Sequence, residues 1–161
     1  MRFVFFALFF IACGYKQSSI YQKKILGNNI HPEVIIDIKN PRETIFLKDA
    51  LNDAIYTILH GNVCYNNCDS KIVINSSSSS LEVLDYDKNG YPVLYRSKVS
   101  LSVDVFKKSL HKHYVVSGSY DFRIEPQSIL NDEAKLTAFK NASINALDKL
   151  FALIAKDGVK L

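Results

Sequence analysis

The clearest pattern in the chain lies between residues 93 and 105. Val93, Tyr95, Val99, Leu101, Val103 and Val105 fall on one side, and Arg96, Lys98, Ser100, Ser102 and Asp104 on the other. This alternation predicts a strand with one packed and one polar face. Residues 107–112 read as a turn. A further strand follows, with Tyr114, Val116, Tyr120, Phe122 and Ile124 inward and Gly118 on the same face, where a missing Cβ lets another backbone come close. Upstream, extended character starts at 71–74, meets the serine run 76–80 and resumes at Leu81-Glu82-Val83-Leu84. It reads as one long, irregular strand with a bulge or a polar stretch. Residues 85–90 form the next turn, with Asn89-Gly90 as a hairpin signal.

Two segments carry helical spacing. Leu47, Leu51, Ala54, Ile55, Ile58 and Leu59 define the first, with Asn40, Pro41 and Glu43 placed as cap, first helical residue and capping-box acid. Gly61 ends it. The second opens at Asn131, and Asp132 and Glu133 suit its positive end. Leu136, Phe139, Ser143, Leu147, Leu150 and Ile154 form its stripe, widened by Ala146 and Phe151, and Lys156 and Gly158 mark its exit. Ahead of them, Val34, Ile36 and Ile38 predict a strand over 34–39 that stops at Asn40-Pro41. The order β-α-β-β-β-α predicts an α+β two-layer sandwich, a four-stranded, mostly antiparallel sheet with both helices on one face. Residues 33–161 form one domain. Residues 13–32 are polar and irregular and read as a tether.

The beginning of the chain has no such periodicity. Arg2 is followed by an apolar run from Phe3 to Ile11, and Ile11-Ala12 stands directly before Cys13. A bilayer span needs about 20 apolar residues, so this run reads as a targeting segment. It resembles a bacterial lipoprotein signal, residues 1–12, which is cut before a cysteine that then receives acyl chains such as palmitate. Phe10 departs from the leucine usual three places before that cysteine. An ordinary secretory signal is the alternative. Several acyl chains give stable anchoring where one does not. Gly14, where an Asp would retain the protein at the inner membrane, points by the same resemblance to the outer membrane.

Charge and chemistry narrow the picture mostly by exclusion. The net charge is +4 without any single basic block. That disfavours nucleic acid and is compatible with an anionic lipid or glycolipid surface. Cys64 and Cys68, in C-Y-N-N-C, form a local disulfide or remain two thiols; outside the cytoplasm such a pair can oxidise. No metal is expected: Asp85, Asp87 and Asn89 match the front of a calcium loop, but its twelfth position is Arg96 instead of a bidentate Glu. His111 and His113 lack a carboxylate or cysteine within their motif and read as turn residues. No nucleophile elbow or phosphate loop occurs. No catalytic constellation and no cofactor are expected, so the chain is read as a non-enzyme.

The start of the mature chain, Ala12-Cys13-Gly14-Tyr15, resembles that of the LptE family of outer-membrane lipoproteins. So do the order of elements, the hairpin Val83-Leu84-Asp85-Tyr86-Asp87-Lys88-Asn89-Gly90 with its long following strand, and the final helix over 134–155. The resemblance implies a plug inside an LptD-like β-barrel that assists barrel assembly and lipopolysaccharide delivery, facing the periplasm of a Gram-negative cell. Basic side chains would then meet lipopolysaccharide phosphates; the candidates are Arg96, Lys98, Lys107, Lys108 and Lys112. A merely solvated charged strand face is the alternative for them. The other functional class is an envelope lipoprotein that carries a ligand or serves as scaffold for another assembly machine. Its mark would be a deep apolar pocket between sheet and helices.

Overall fold

The computed structural model describes residues 18–35, 40–108 and 110–159. Within them the elements are α1 (Ser18–Leu26), β1 (Asn29–Val34), α2 (Pro41–Thr57), β2 (Asn62–Val63), β3 (Ser70–Tyr86), β4 (Pro92–Lys107), β5 (Leu110–Arg123) and α3 (Asp132–Val159). The strands form one sheet in the order β2-β1-β3-β4-β5. β1 runs parallel to both β2 and β3, and β3, β4 and β5 form an antiparallel meander. The architecture is α+β. The expected four-stranded, mostly antiparallel sheet with two helices is corrected to a five-stranded mixed sheet with three helices among the described residues.

The meander follows the alternation. Val93, Tyr95, Val99, Leu101, Val103 and Val105 are buried, while Lys98 and Ser100 are exposed. The serine run is strand: residues 76–80 pair with residues 98–102 of β4, and the register shifts between Ile74 and Ser76. Asn75 is therefore the bulged residue. The β3–β4 turn is organised by Asp87, whose carboxylate accepts from the backbone N–H groups of Asn89 and Tyr91, both at 2.8 Å. Gly90 takes φ +82° there, a conformation that disfavours a side chain. The turn expected over 107–112 is tighter, because Lys107 already pairs with Leu110. Lys112 belongs to β5.

The first third departs more from expectation. Residues 18–32, read as tether, supply α1 and most of β1. The first described strand lies at Asn29–Val34; it meets the strand expected over 34–39 at Val34, and residues 36–39 lie outside the described residues. Pro32 sits inside β1, and the pairing explains why it is tolerated. Ile30 accepts from Cys64 on the β2 side, whereas Ile35 donates to Ile74 of β3. Even-numbered residues thus face β2, which ends at Val63, so the missing N–H of Pro32 points past that end and costs no ladder bond. At α2, Pro41 holds the first helical position, but Asn40 makes no side-chain cap and Glu43 accepts from Ser79 of β3 instead. The helix stops at Thr57, before the left-handed His60 (φ +50°), instead of running to Gly61. At α3 the Asn131 side chain does cap, accepting from the Ala134 N–H at 2.8 Å.

The core lies between the sheet and the helix layer. Phe139, Ala142, Ala146, Leu147, Leu150, Phe151 and Ile154 of α3 pack with Val99, Leu101, Val103 and Val105 of β4 and with Leu47, Leu51 and Ile55 of α2. Ile25 and Leu26 join α1 to this cluster, and Gln22 donates to the Phe151 carbonyl at 3.0 Å. Ser143, on the apolar stripe, is satisfied by donating to the Phe139 carbonyl at 2.8 Å. Residues 1–12, expected as a signal segment, and Cys13 lie outside the described residues. No described helix is long and apolar enough to cross a membrane.

Candidate functional site

Among the described residues the helices cover one sheet face and leave the other open, and the register assigns its occupants. Across β3, β4 and β5, Ser78, Ser100 and Ser117 stand in one row, and Ser80, Lys98 and Ser119 in the next. A third row aligns Glu82, Arg96 and Asp121. Short hydroxyl side chains make the middle of this face flat and wettable. Arg96 grips Asp121 through two hydrogen bonds of 2.6 Å, and Lys98 reaches Glu82 at 2.7 Å. The bidentate fork is the stronger geometry of the two. It holds the Asp121 carboxyl below the usual carboxylate range and pushes the Arg96 guanidinium up.

The same face carries a cluster that the sequence did not reveal. Asp104 Oδ1 lies 3.0 Å from His111 Nε2 and 2.9 Å from His113 Nδ1, and Oδ2 accepts from the bulged Asn75 at 2.6 Å. A carboxylate only accepts, so both imidazoles donate. The hydrogen bond from His113, then that from Asn75, hold the Asp104 carboxyl below its ordinary range. The carboxylate absent from the His-Lys-His motif comes across the strand pair, since Asp104 faces His113. The available signal was the alternation itself, which put Asp104 on the polar side of β4. Among the described residues no group of three or more His, Cys, Asp or Glu is arranged to hold a metal ion.

The five basic candidates do not converge. Arg96 and Lys98 share the open face. Lys112 faces the helix layer and pairs with Asp157 at 2.8 Å, beside Tyr114, whose hydroxyl donates to the same carboxylate at 2.9 Å. Burial, and then the Asp157 carboxylate, push the Tyr114 hydroxyl up. Lys107 and Lys108 lie at the far end of β4, where Lys107 donates to the Lys24 carbonyl of α1 at 2.7 Å.

At that end a cleft of about 360 Å³ opens between His31, Tyr65, Asp69, Lys71, Lys107 and Lys108. Cys64 and Cys68 are disulfide-bonded and close a small loop that carries Tyr65. Tyr65 meets His31 edge-on at 5.7 Å, and His31 Nδ1 donates to the Cys64 carbonyl at 3.1 Å. Asp69 accepts from the N–H groups of Asn28 and Asn29, both at 2.9 Å, and these bonds hold its carboxyl low. Glu33 is held low chiefly by its bond to Lys71.

The solved structures bear on the fold. The described fold is similar to that of rare lipoprotein B from Shewanella oneidensis. The match covers 83% of this chain and 98% of that one, at 13% identity and a TM-score of 0.51. A minor lipoprotein from Acinetobacter baumannii aligns over 81% of this chain and 92% of that one, at 8% identity and a TM-score of 0.49. No protein-family model matches the chain, and comparison with curated sequences finds no relative.

Proposed function

We propose that this chain is an outer-membrane lipoprotein of the LptE kind. It is lipidated at Cys13, plugs an LptD-like β-barrel, assists the assembly of that barrel and helps deliver lipopolysaccharide to the cell surface. The observation that carries this reading is the two-sided domain: a filled core on one side of the sheet and a flat face of serines and paired charges on the other. Such a face suits the wet interior of a large outer-membrane barrel. The signal-like segment ending at Cys13 and the likeness of fold to rare lipoprotein B support an envelope lipoprotein. The role is structural and non-enzymatic.

On this reading, lipopolysaccharide phosphates meet Arg96 and Lys98. Both are already held by carboxylates, so a phosphate must displace Asp121 and Glu82 and replace their charge-assisted bonds. Ligand carriage between sheet and helices, the other class considered, finds little support. Leu147, Leu150, Phe151 and Ile154 fill that layer with no exposed surface. The test is purification of the full chain from detergent-extracted membranes. A large β-barrel protein co-purifies in stoichiometric amount; recovery of the lipidated chain without one overturns the plug.

A further inference from the structure

The lysine-lined cleft at the α1 end of the sheet is left unused by the plug reading. Lys71, Lys107 and Lys108 line it, and Lys23 and Lys24 occupy the last turn of α1 beside it. Glu33 is bonded to Lys71, and Asp69 accepts from two backbone N–H groups while its charge also acts on Lys107 and Lys108, so the lysines outnumber these two carboxylates. The disulfide-closed loop adds Tyr65, 63% exposed, at the mouth. A rim of lysines around a projecting tyrosine is the composition of a membrane-interface contact, since aromatic rings favour the headgroup level and lysines are drawn to anionic headgroups. Chain length brings the surface within reach. Four residues lie between Cys13 and the start of α1 at Ser18, five steps of chain in all. Fully extended they span about 17 Å, and α1 adds only about 13 Å.

We infer that this end of the domain, Tyr65 with Lys23, Lys24, Lys107 and Lys108, docks on the anionic phospholipid leaflet that holds the Cys13 lipid. This rests on the lipid anchor of the proposed function and goes beyond it. The anchor supplies the local concentration, so a weak headgroup contact suffices to set the orientation of the domain. The β3–β4 turn lies at the other end of the domain, because β4 places Tyr91 about 50 Å from Lys107.

The chain contains no tryptophan, so a single introduced indole is a unique reporter. The lipidated full-length protein is reconstituted in two kinds of vesicle that carry brominated acyl chains. One is phosphatidylcholine alone; the other is phosphatidylcholine with phosphatidylglycerol. Tyr65→Trp places the reporter in the proposed contact, and Tyr91→Trp places it at the opposite end, where the tyrosine is 54% exposed. The Tyr65→Trp indole is quenched more strongly on the anionic vesicles, and 1 M salt, with a screening length of about 3 Å, removes the difference. Lys107→Gln with Lys108→Gln reduces the headgroup-dependent contact by roughly fivefold for each lysine removed. The Tyr91→Trp indole is quenched on neither. Vesicle flotation separates the two readings. Protein that floats but shows equal quenching at both positions, or quenching indifferent to headgroup charge, overturns the docking alone. Protein that does not float overturns the anchor and the docking together.

Discussion

The α-carbon of Gly118 lies against the carbonyl of Ala142: a Cβ built on Gly118 would stand 2.2 Å from the Ala142 oxygen and 2.4 Å from the Ala146 nitrogen. The neighbours are helix backbone, which cannot rotate aside as a side chain can. Gly118→Ala therefore pushes α3 off β5 and opens the core around Leu147 and Val116. The expected loss is at the upper end of the overpacking range, about 3 kcal/mol. Gly90→Ala is the control, since that position has open space and only an unfavourable φ; it costs about 1 kcal/mol. Chemical denaturation of both variants checks the order, and equal losses contradict the contact.

That close approach was legible as a glycine on the inner face of an alternating strand. So was the meander, because a strand with one dry and one wet face writes its period directly into β4. The serine run was readable as part of one irregular strand with a bulge, and pairing supplies the reason: residues 76–80 are strand because β4 opposes them, although the distal half of β3 buries little on either face. α1 was missed because Ser18–Leu26 has few apolar anchors and gains its place mainly from Ile25, Leu26 and the Gln22 bond to α3. β1 was missed upstream of Val34 because Asn29–Glu33 has little apolar alternation and contains Pro32, whose tolerance depends on which way its nitrogen points. For the candidate surface, residue types were readable but partners were not. Arg96 with Asp121, and Asp104 with two histidines, are cross-strand facts that follow from register.

Closing the Cys64–Cys68 loop restricts only a few residues, so its effect on the unfolded chain is modest, about 2 kcal/mol by loop-closure entropy. Cys64→Ser with Cys68→Ser lowers the melting temperature by about 4–8 °C for a domain of this size. It also loosens the Cys64 carbonyl that accepts from His31. A melting temperature unchanged by the double substitution, or by reductant, contradicts a stabilising bridge.

Cys13→Ser removes the proposed lipid attachment without touching any described contact. Cell fractionation then finds the variant released from membranes while it retains its cooperative unfolding transition. Persistence in the membrane fraction after a high-salt wash, in cells that lack a co-purifying barrel, removes the main support for lipidation.

Arg96 and Lys98 test the polar face. Both are ion-paired on the open face, so Arg96→Glu with Lys98→Glu lowers the melting temperature only by a few degrees, through lost pairs and cross-strand repulsion. It also gathers four carboxylates where Asp121 and Glu82 already stand, and lipopolysaccharide binding falls by at least tenfold. Adding Asp121→Arg and Glu82→Lys restores the pairs with reversed polarity and recovers much of the binding. Binding that is unchanged in the first variant returns these residues to a solvated strand face.

Acid stability follows from four carboxyls. Asp104, Asp121, Asp69 and Glu33 are all held below their ordinary values by hydrogen bonds present only in the folded chain. A carboxyl with a folded value below its unfolded one contributes fully above the unfolded value, about 3.9 for Asp and 4.3 for Glu. That contribution disappears as pH falls through the folded value, because the folded state resists taking up the proton that the unfolded state accepts. The melting temperature should be nearly level from pH 7 to about 5 with respect to these groups and decline modestly between about pH 4 and pH 2, because solvent screens the exposed carboxyls Asp121, Asp69 and Glu33. Asp104→Asn isolates one contribution. The amide retains an acceptor oxygen but cannot ionise, so the variant melts below the parent at pH 6 and the two curves converge toward pH 2. A gap that stays constant across the series would mean that the charge on Asp104, as distinct from its shape, adds nothing to the fold.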